Sequence, residues 1–477
     1  MKPVEKSAYI ARIRPVAEKL LKGLLETYAY ASVLVTDANA KQYSVSKSGT
    51  QIRTTTTFGD KGMVVKVYDG HSYAEYATNQ VDEDRLPAIM QEIQMRLVPW
   101  AEACPPTIAQ SEYDALPDEV ITLSKATSYE IHPQTLGDDG IIAKLEIVKN
   151  KALAYDSRIV DAPAFATYQE YHKLFLSKNK DMEQSVLWMT SGMSVMASAG
   201  EELKSYYKSY SCLGGAEVLD AMEEDILNVA KIAVDLLSSE PMQPGLYDCI
   251  CTPEVTGMIV HEAFGHGVEM DMFVKDRALA ASYIGKYVAS PLVTMHDGAS
   301  AAQETATFFF DDEGILAQDT VVIDKGVLVR GISDAQSAMH LGTTPTGNGR
   351  RESYERKAYT RMTNTYFEGG HDTLEDMIAS ISYGMLLENA TSGMEDPKNW
   401  GIQCMVNIAR EIKDGQLTGR IFSPVVLTGY VPDLLCSISM MSPTVELGGG
   451  GACGKGYKEW VKVSDGGPYI KAKIRLG

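Results

Sequence analysis

Cysteine is scarce in this chain. Seven residues in 477, at 104, 212, 249, 251, 404, 436 and 453, are too few and odd in number for a disulfide framework. Long apolar runs are missing: none approaches the roughly 20 residues of a membrane span. Met1–Tyr28 is charged and amphipathic, without the apolar core or cleavage signature of a signal peptide, so a cytoplasmic protein is expected. Positive charge is also short, with 44 Lys and Arg against 63 Asp and Glu and a net charge of −19. With no basic stripe, nucleic acid is not expected as the main partner, and no membrane is either. Internal repeats and low-complexity tails are absent by inspection. Histidine is rare as well, at eight residues, yet two of them stand close together.

Those two lie in Ile259-Val260-His261-Glu262-Ala263-Phe264-Gly265-His266-Gly267. Neutral imidazoles bind zinc, and a carboxylate beside the first ligand can take a proton from water at the metal. In the familiar H-E-x-x-H the histidines are four apart and share one helix face. Here they are five apart, about 140° around an ideal α-helix. One ion reaches both only if the helix ends there or is distorted. A π-bulge restores an i, i+5 alignment, and Gly265 and Gly267 allow a break. The plainer reading is two ordinary polar residues flanking a turn.

The chain as a whole reads as α+β. Residues 4–27 have helical spacing, with Pro15 as a kink or a start. Segments 31–36, 42–46, 50–57 and 62–68 alternate like a β-meander. Residues 81–97 and 140–157 return to helical spacing, and 103–118 reads as a surface connection. Residues 174–199 read as a hairpin or short meander, and 214–238 as an amphipathic helix. A strand at 245–252 carries Cys249 and Cys251 on one face, with the motif helix at 253–266 after it. Hairpins are expected around Asp324-Lys325-Gly326 and Asp414-Gly415, and short helices at 373–382 and 432–439. Two domains follow: an N-terminal sheet-plus-helices domain at 1–210, and a β-rich domain at 211–477 carrying the metal-site helix.

A catalytic zinc takes three protein ligands and keeps one position open. The candidate third ligand is Cys453, in Gly448-Gly449-Gly450-Gly451-Ala452-Cys453-Gly454-Lys455-Gly456. A glycine hairpin carrying a buried thiol is the alternative. The same stretch matches most of a phosphate-binding loop, but Gly456 replaces the Ser or Thr that reaches Mg²⁺, and residues 457–463 alternate like a strand.

HEAFGH at 261–266, Gly347-Asn348-Gly349-Arg350-Arg351, Arg361-Met362-Thr363-Asn364-Thr365-Tyr366, Met394-Glu395-Asp396-Pro397-Lys398-Asn399 and Cys453-Gly454-Lys455 together resemble the TldD/PmbA family, in its zinc-motif-bearing TldD-type branch. The resemblance implies a zinc metallopeptidase with one zinc per chain, ligands at His261, His266 and Cys453, and a catalytic Glu262. It implies an N-terminal α+β domain, a β-rich C-terminal domain and a site enclosed in a dimer. That dimer is a homodimer or a pair with a PmbA/TldE-type subunit lacking the zinc motif. Family roles are maturation of peptide antibiotics and degradation of short or unfolded peptides; an older label is modulator of DNA gyrase. Gly456, Tyr457 and Lys458 depart from the family's Gly-Gln after Cys-Gly-Lys, which touches substrate contacts rather than the metal.

The expected activity is peptide hydrolysis with Glu262 as general base. Arg361, Thr363, Asn364 and Thr365, in an alternating polar segment, are the candidate strand for pairing with an extended peptide, against the alternative of a plain structural strand. The competing function is a non-enzymatic regulator binding a partner such as a topoisomerase; a third is a nucleotide-binding protein.

Overall fold

The computed structural model describes residues 1–54, 59–103, 114–457 and 459–477, with backbone alone over 97–103. Residues 55–57 of the segment expected at 50–57, residues 104–113 of the connection expected at 103–118, and Lys458 fall outside the described residues. The architecture is mixed helix and sheet, as expected.

The first helix is Ala8–Leu25. Ser7 caps it, its Oγ accepting from Ile10 N at 3.0 Å, and Pro15 lies inside rather than at the start. Its stripe of Ile10, Ile13, Leu20 and Leu24 packs on Val33, Val35, Val65 and Leu174 of a nine-stranded sheet. The strands of that sheet follow the order 202–212, 180–199, 164–177, 30–46, 61–68 and 73–78.

The two segments expected at 31–36 and 42–46 are one strand, Tyr30–Ser46, paired with Ala164–Ser177 from Ser32 to Val45. Asp37 does not break it. It is 5% exposed, takes a hydrogen bond from Ser7 Oγ at 2.5 Å and pairs with Lys61 at 2.8 Å. A satisfied buried carboxylate sits inside a strand without ending it. The sheet is covered on both sides. Val33 and Val35 face the first helix, while Leu34, Val64 and Phe175 meet Phe310 from the C-terminal half. That two-sided burial is why Tyr30–Val35 reads as an apolar run. Helices Pro133–Tyr155 and Val218–Asp235 cover the remaining length through Ile141, Leu145, Met222 and Ile226.

In the C-terminal half, strands Gly245–Cys251, Tyr383–Asp396, Gly401–Lys413, Val425–Tyr430 and Ile470–Leu476 form a sheet that closes on itself. Gly245–Cys251 pairs parallel with Tyr383–Asp396 and antiparallel with Ile470–Leu476. A six-stranded sheet lies beside it, in the order 327–328, 320–324, 295–297, 364–367, 464–467 and 446–448. Both expected hairpin turns are present. Lys325 and Gly326 have φ of 46° and 87°, and Asp414 and Gly415 have 51° and 75°, the paired positive φ that matches strand twist.

The motif helix, Pro253–Val260, is wedged between these two sheets. Pro253 opens it, where a missing N–H costs nothing. Val255, Ile259 and Val260 are fully buried. Gly257 lies against Gly466, and a Cβ there would come within 2.7 Å of the Gly466 nitrogen. That close approach sets the helix end beside strand Ser464–Gly467 and hence beside Asp465.

Candidate metal centre

The helix does not continue past Val260 in α form. His261–Gly265 is a single π turn, followed by a tight turn at His266–Val268. The wider turn brings residues i and i+5 into line, as the spacing of the two histidines demands. The ring centroids of His261 and His266 are 5.2 Å apart at 88°. Cys453 arrives from strand Ala452–Lys455, with Sγ 3.3 Å from His266 Nε2. One ligand atom from each of the three lies within 4.8 Å of the others. Two imidazoles and a thiolate suit zinc, whose bonds run about 2.0–2.3 Å, and small side-chain rotations let one ion reach all three.

Charge around the three also fits a cation. Asp465 Oδ2 is 3.5 Å from His261 Nδ1, which has no hydrogen-bond partner. Glu269 Oε2 is 3.3 Å from His266 Nδ1 and 2.9 Å from Lys455 Nζ. Such outer carboxylates orient ligating imidazoles and strengthen them as donors. Glu395 lies over Gly267, both its oxygens buried and, among the described residues, neither in a hydrogen bond of good geometry. Burial pushes its carboxyl well above the ordinary range, with Glu262 and Glu269 adding to the rise.

Without a metal, the ligands hold one another's protons. Burial disfavours a Cys453 thiolate, but hydrogen bonds and charge from His261 and His266 outweigh it and set the thiol well below its usual value. Burial likewise disfavours a charged His266, yet Cys453 and Glu269 raise it well above the ordinary imidazole range. His261 is raised in the same way, against burial, chiefly by Cys453. The shifts of the three side chains thus arise largely from one another.

Glu262 adjoins the first ligand but is not part of the ligand triangle. It is 9% exposed, and burial raises its carboxyl despite the two histidines. Gly393 makes room for it: a Cβ there would lie 2.4 Å from Glu262 Cγ.

The four residues of the polar segment lie behind the site. Arg361, 1% exposed, donates Nη2 to Cys453 O at 2.6 Å and Nη1 to Glu459 O at 3.0 Å, holding the Cys453 hairpin. Thr363 and Thr365 donate their hydroxyls to buried Asp297 at 2.9 and 2.6 Å. Asn364 bonds Gly298 O at 3.1 Å. Strand Asn364–Phe367 is paired on both sides, with Met295–Asp297 and Ser464–Gly467, so it offers no edge to an incoming peptide. Asp297, Glu269, Glu395, Gly393 and Asp465 were not singled out as site residues in the sequence. Only Glu269, three residues after His266, carried a local signal.

Lys455, the last residue of the phosphate-loop match, is used up by Glu269 and by Asp271 at 2.6 Å, and a strand follows it. Cys249 and Cys251 are fully buried, burial pushing both thiols up, and neither joins a metal cluster among the described residues.

With this geometry in hand, comparison with known proteins is informative. Residues 244–475 match the family model described as the PmbA/TldA metallopeptidase C-terminal domain. Residues 244–475 thus belong to the TldD/PmbA family. A metalloprotease of Methanothermobacter thermautotrophicus is 30% identical over 59% of this chain and 61% of its own. A metalloprotease TldD homolog of Buchnera aphidicola is 33% identical over 50% of each chain. The chain thus spans only about half to three fifths of the length of these two relatives. A Methanocaldococcus jannaschii metalloprotease is 24% identical over 95% of this chain and 98% of its own. The solved structure of TldE from Thermococcus kodakarensis has a TM-score of 0.73 at 17% identity, covering 96% of this chain and 99% of that one, a likeness of fold.

Metal binding takes neutral imidazole and so competes with protons at His261 and His266, whose affinity for protons is raised. Zinc titrations in buffers of different ionisation heat are expected to show proton release, and apparent affinity that rises with pH through the raised imidazole range. His261→Ala, His266→Ala and Cys453→Ala are each expected to lose most of about one zinc per chain. A Cys453→Ala protein that keeps full zinc would place the third ligand elsewhere.

Proposed function

We propose that this chain is a TldD-type zinc metallopeptidase that hydrolyses short or unfolded peptides, with His261, His266 and Cys453 as ligands and Glu262 as general base. The observation that carries the reading is a His/His/Cys triangle with a buried carboxylate next to the first ligand but outside the triangle. Relatives named metalloproteases support it. When bound, zinc supplies Lewis acidity, polarising a carbonyl and easing deprotonation of water.

The residues of the chain do the rest. Glu262, its proton affinity raised by burial, takes the proton of the attacking water and returns it to the leaving amine. Asp465 and Glu269 keep the imidazoles oriented, and Arg361 holds the Cys453 hairpin through its carbonyl. A cavity of about 340 Å³ opens beside His266, lined by Lys275, Arg277, Tyr359 and Glu395, and gives a peptide room next to the centre. No helix among the described residues is long and apolar enough to cross a membrane.

The Glu262→Gln variant separates chemistry from metal binding. It is expected to keep its zinc and melting temperature, and to cleave short unstructured peptides at least about a hundredfold more slowly, within the 10²–10⁴-fold typical of acid–base help. Loss of zinc together with activity would make Glu262 a ligand or a structural group. Unchanged cleavage would place hydrolysis elsewhere.

The family's enclosed site makes a dimer the functional unit, as a homodimer or with a PmbA/TldE-type subunit. Light scattering of the zinc-loaded chain, alone and mixed with such a subunit, is expected to give the mass of two chains in at least one case. A monomer in both contradicts the enclosure.

A further inference from the structure

The hairpin that carries Cys453 has a second face. Cys453 pairs with Val461 and Ala452 with Lys462, so Lys462 projects on the opposite side of the ribbon from the thiol. There it lines a partly open cavity of about 80 Å³ between the nine-stranded sheet and the C-terminal half. That space corresponds to roughly five to eight water positions, or an organic molecule of amino-acid size. Trp188, Phe308 and Trp460 contribute apolar wall.

Two cations face this cavity without a carboxylate partner. Lys462 is 6% exposed and sits 4.8 Å from the Trp188 ring centroid. It makes no hydrogen bond or ion pair with the described residues; Glu304 and Asp465 act on it only at longer range. Burial drives its pKa down to about 7, as for a charge left without a partner. Arg350 lies 5.5 Å over Phe308 and gives one N–H, on Nη1, to Met362 O at 2.6 Å, leaving the rest of its fork unused. Burial lowers it to about 10.

The other charged side chains around the cavity each have a hydrogen-bond partner. Lys173 is bonded to Asp312, which also accepts from Arg351 N at 2.8 Å. Arg351 pairs with Glu75 at 3.0 Å. Asp311 accepts from Gly349 N at 2.8 Å, and Glu352 from Trp460 N at 2.9 Å. Asp60 accepts from Lys61 N at 2.7 Å. Burying an unpaired ammonium and an underused guanidinium at one small apolar cavity is costly unless an anion completes them. A planar guanidinium fork matches a carboxylate in particular.

We propose that this cavity is a binding site for a small carboxylate with an apolar body, its carboxylate held by Arg350 and Lys462. The site is separate from the metal centre and does not depend on the peptidase reading. The carboxylate belongs either to a free small acid or to the end of a peptide chain.

The test is a titration of full-length, zinc-loaded protein with isovalerate and with its neutral amide, followed by calorimetry and by the fluorescence of Trp188 and Trp460. Isovalerate is expected to bind saturably, the amide at least tenfold more weakly, and chelated protein as well as loaded protein. Lys462→Met and Arg350→Met are each expected to weaken isovalerate at least tenfold while keeping full zinc. Competition by Gly-Gly-Val, lost on amidation, would identify a peptide end as the occupant; binding of isovalerate without such competition would identify a free acid. Absence of saturable binding, equal binding of acid and amide, or unchanged binding in both folded variants overturns the proposal. The acid–amide comparison on the unaltered chain decides the matter even where a variant does not fold.

Discussion

A helix with 3.6 residues per turn cannot point His261 and His266 at one ion, and the site depends on the one turn that breaks that rule. The π turn at 261–265 places the two rings 5.2 Å apart, and it is held from outside. On one side, the Gly257–Gly466 contact presses the helix onto the six-stranded sheet; on another, Gly393 leaves space for Glu262. A π turn is rare inside a helix and persists where its surroundings hold it. Here the surroundings are two sheets with fully buried Val255, Ile259 and Val260 between them.

Cys453, the proposed third ligand, is positioned by charged side chains as well as by packing. Arg361 ties the carbonyls of Cys453 and Glu459, while Lys455, two residues past the thiol, is anchored on Glu269 and Asp271. Glu269 also faces His266, so one buried carboxylate serves both the helix and the hairpin. Its carboxyl is held down to about 2: burial opposes this, but Lys455, His266 and Arg361 outweigh it.

Much of this was legible in the chain. The i, i+5 histidine spacing called for a helix break or a π-bulge, and the bulge is what forms. Asp324-Lys325-Gly326 and Asp414-Gly415 specified hairpins because Gly, and to a lesser degree Asp, accept positive φ at low cost. Other features depend on partners far away in sequence. Thr363 and Thr365 read as part of a polar strand for a peptide to pair with, but Asp297, 66 and 68 residues earlier, satisfies them inside the core. Asp37 looked like a strand end until Ser7 and Lys61 supplied its partners. Glu395 and Asp465 have no local signature, since their meaning comes from standing beside ligands more than a hundred residues away.

Zinc K-edge absorption spectroscopy on the purified, zinc-loaded chain tests the central claim most directly. The account predicts a shell with two imidazole nitrogens at about 2.0 Å and one sulfur at about 2.3 Å, the sulfur lost in Cys453→Ser. A shell without sulfur, or with a single imidazole, would contradict the joining of His261, His266 and Cys453 at one ion.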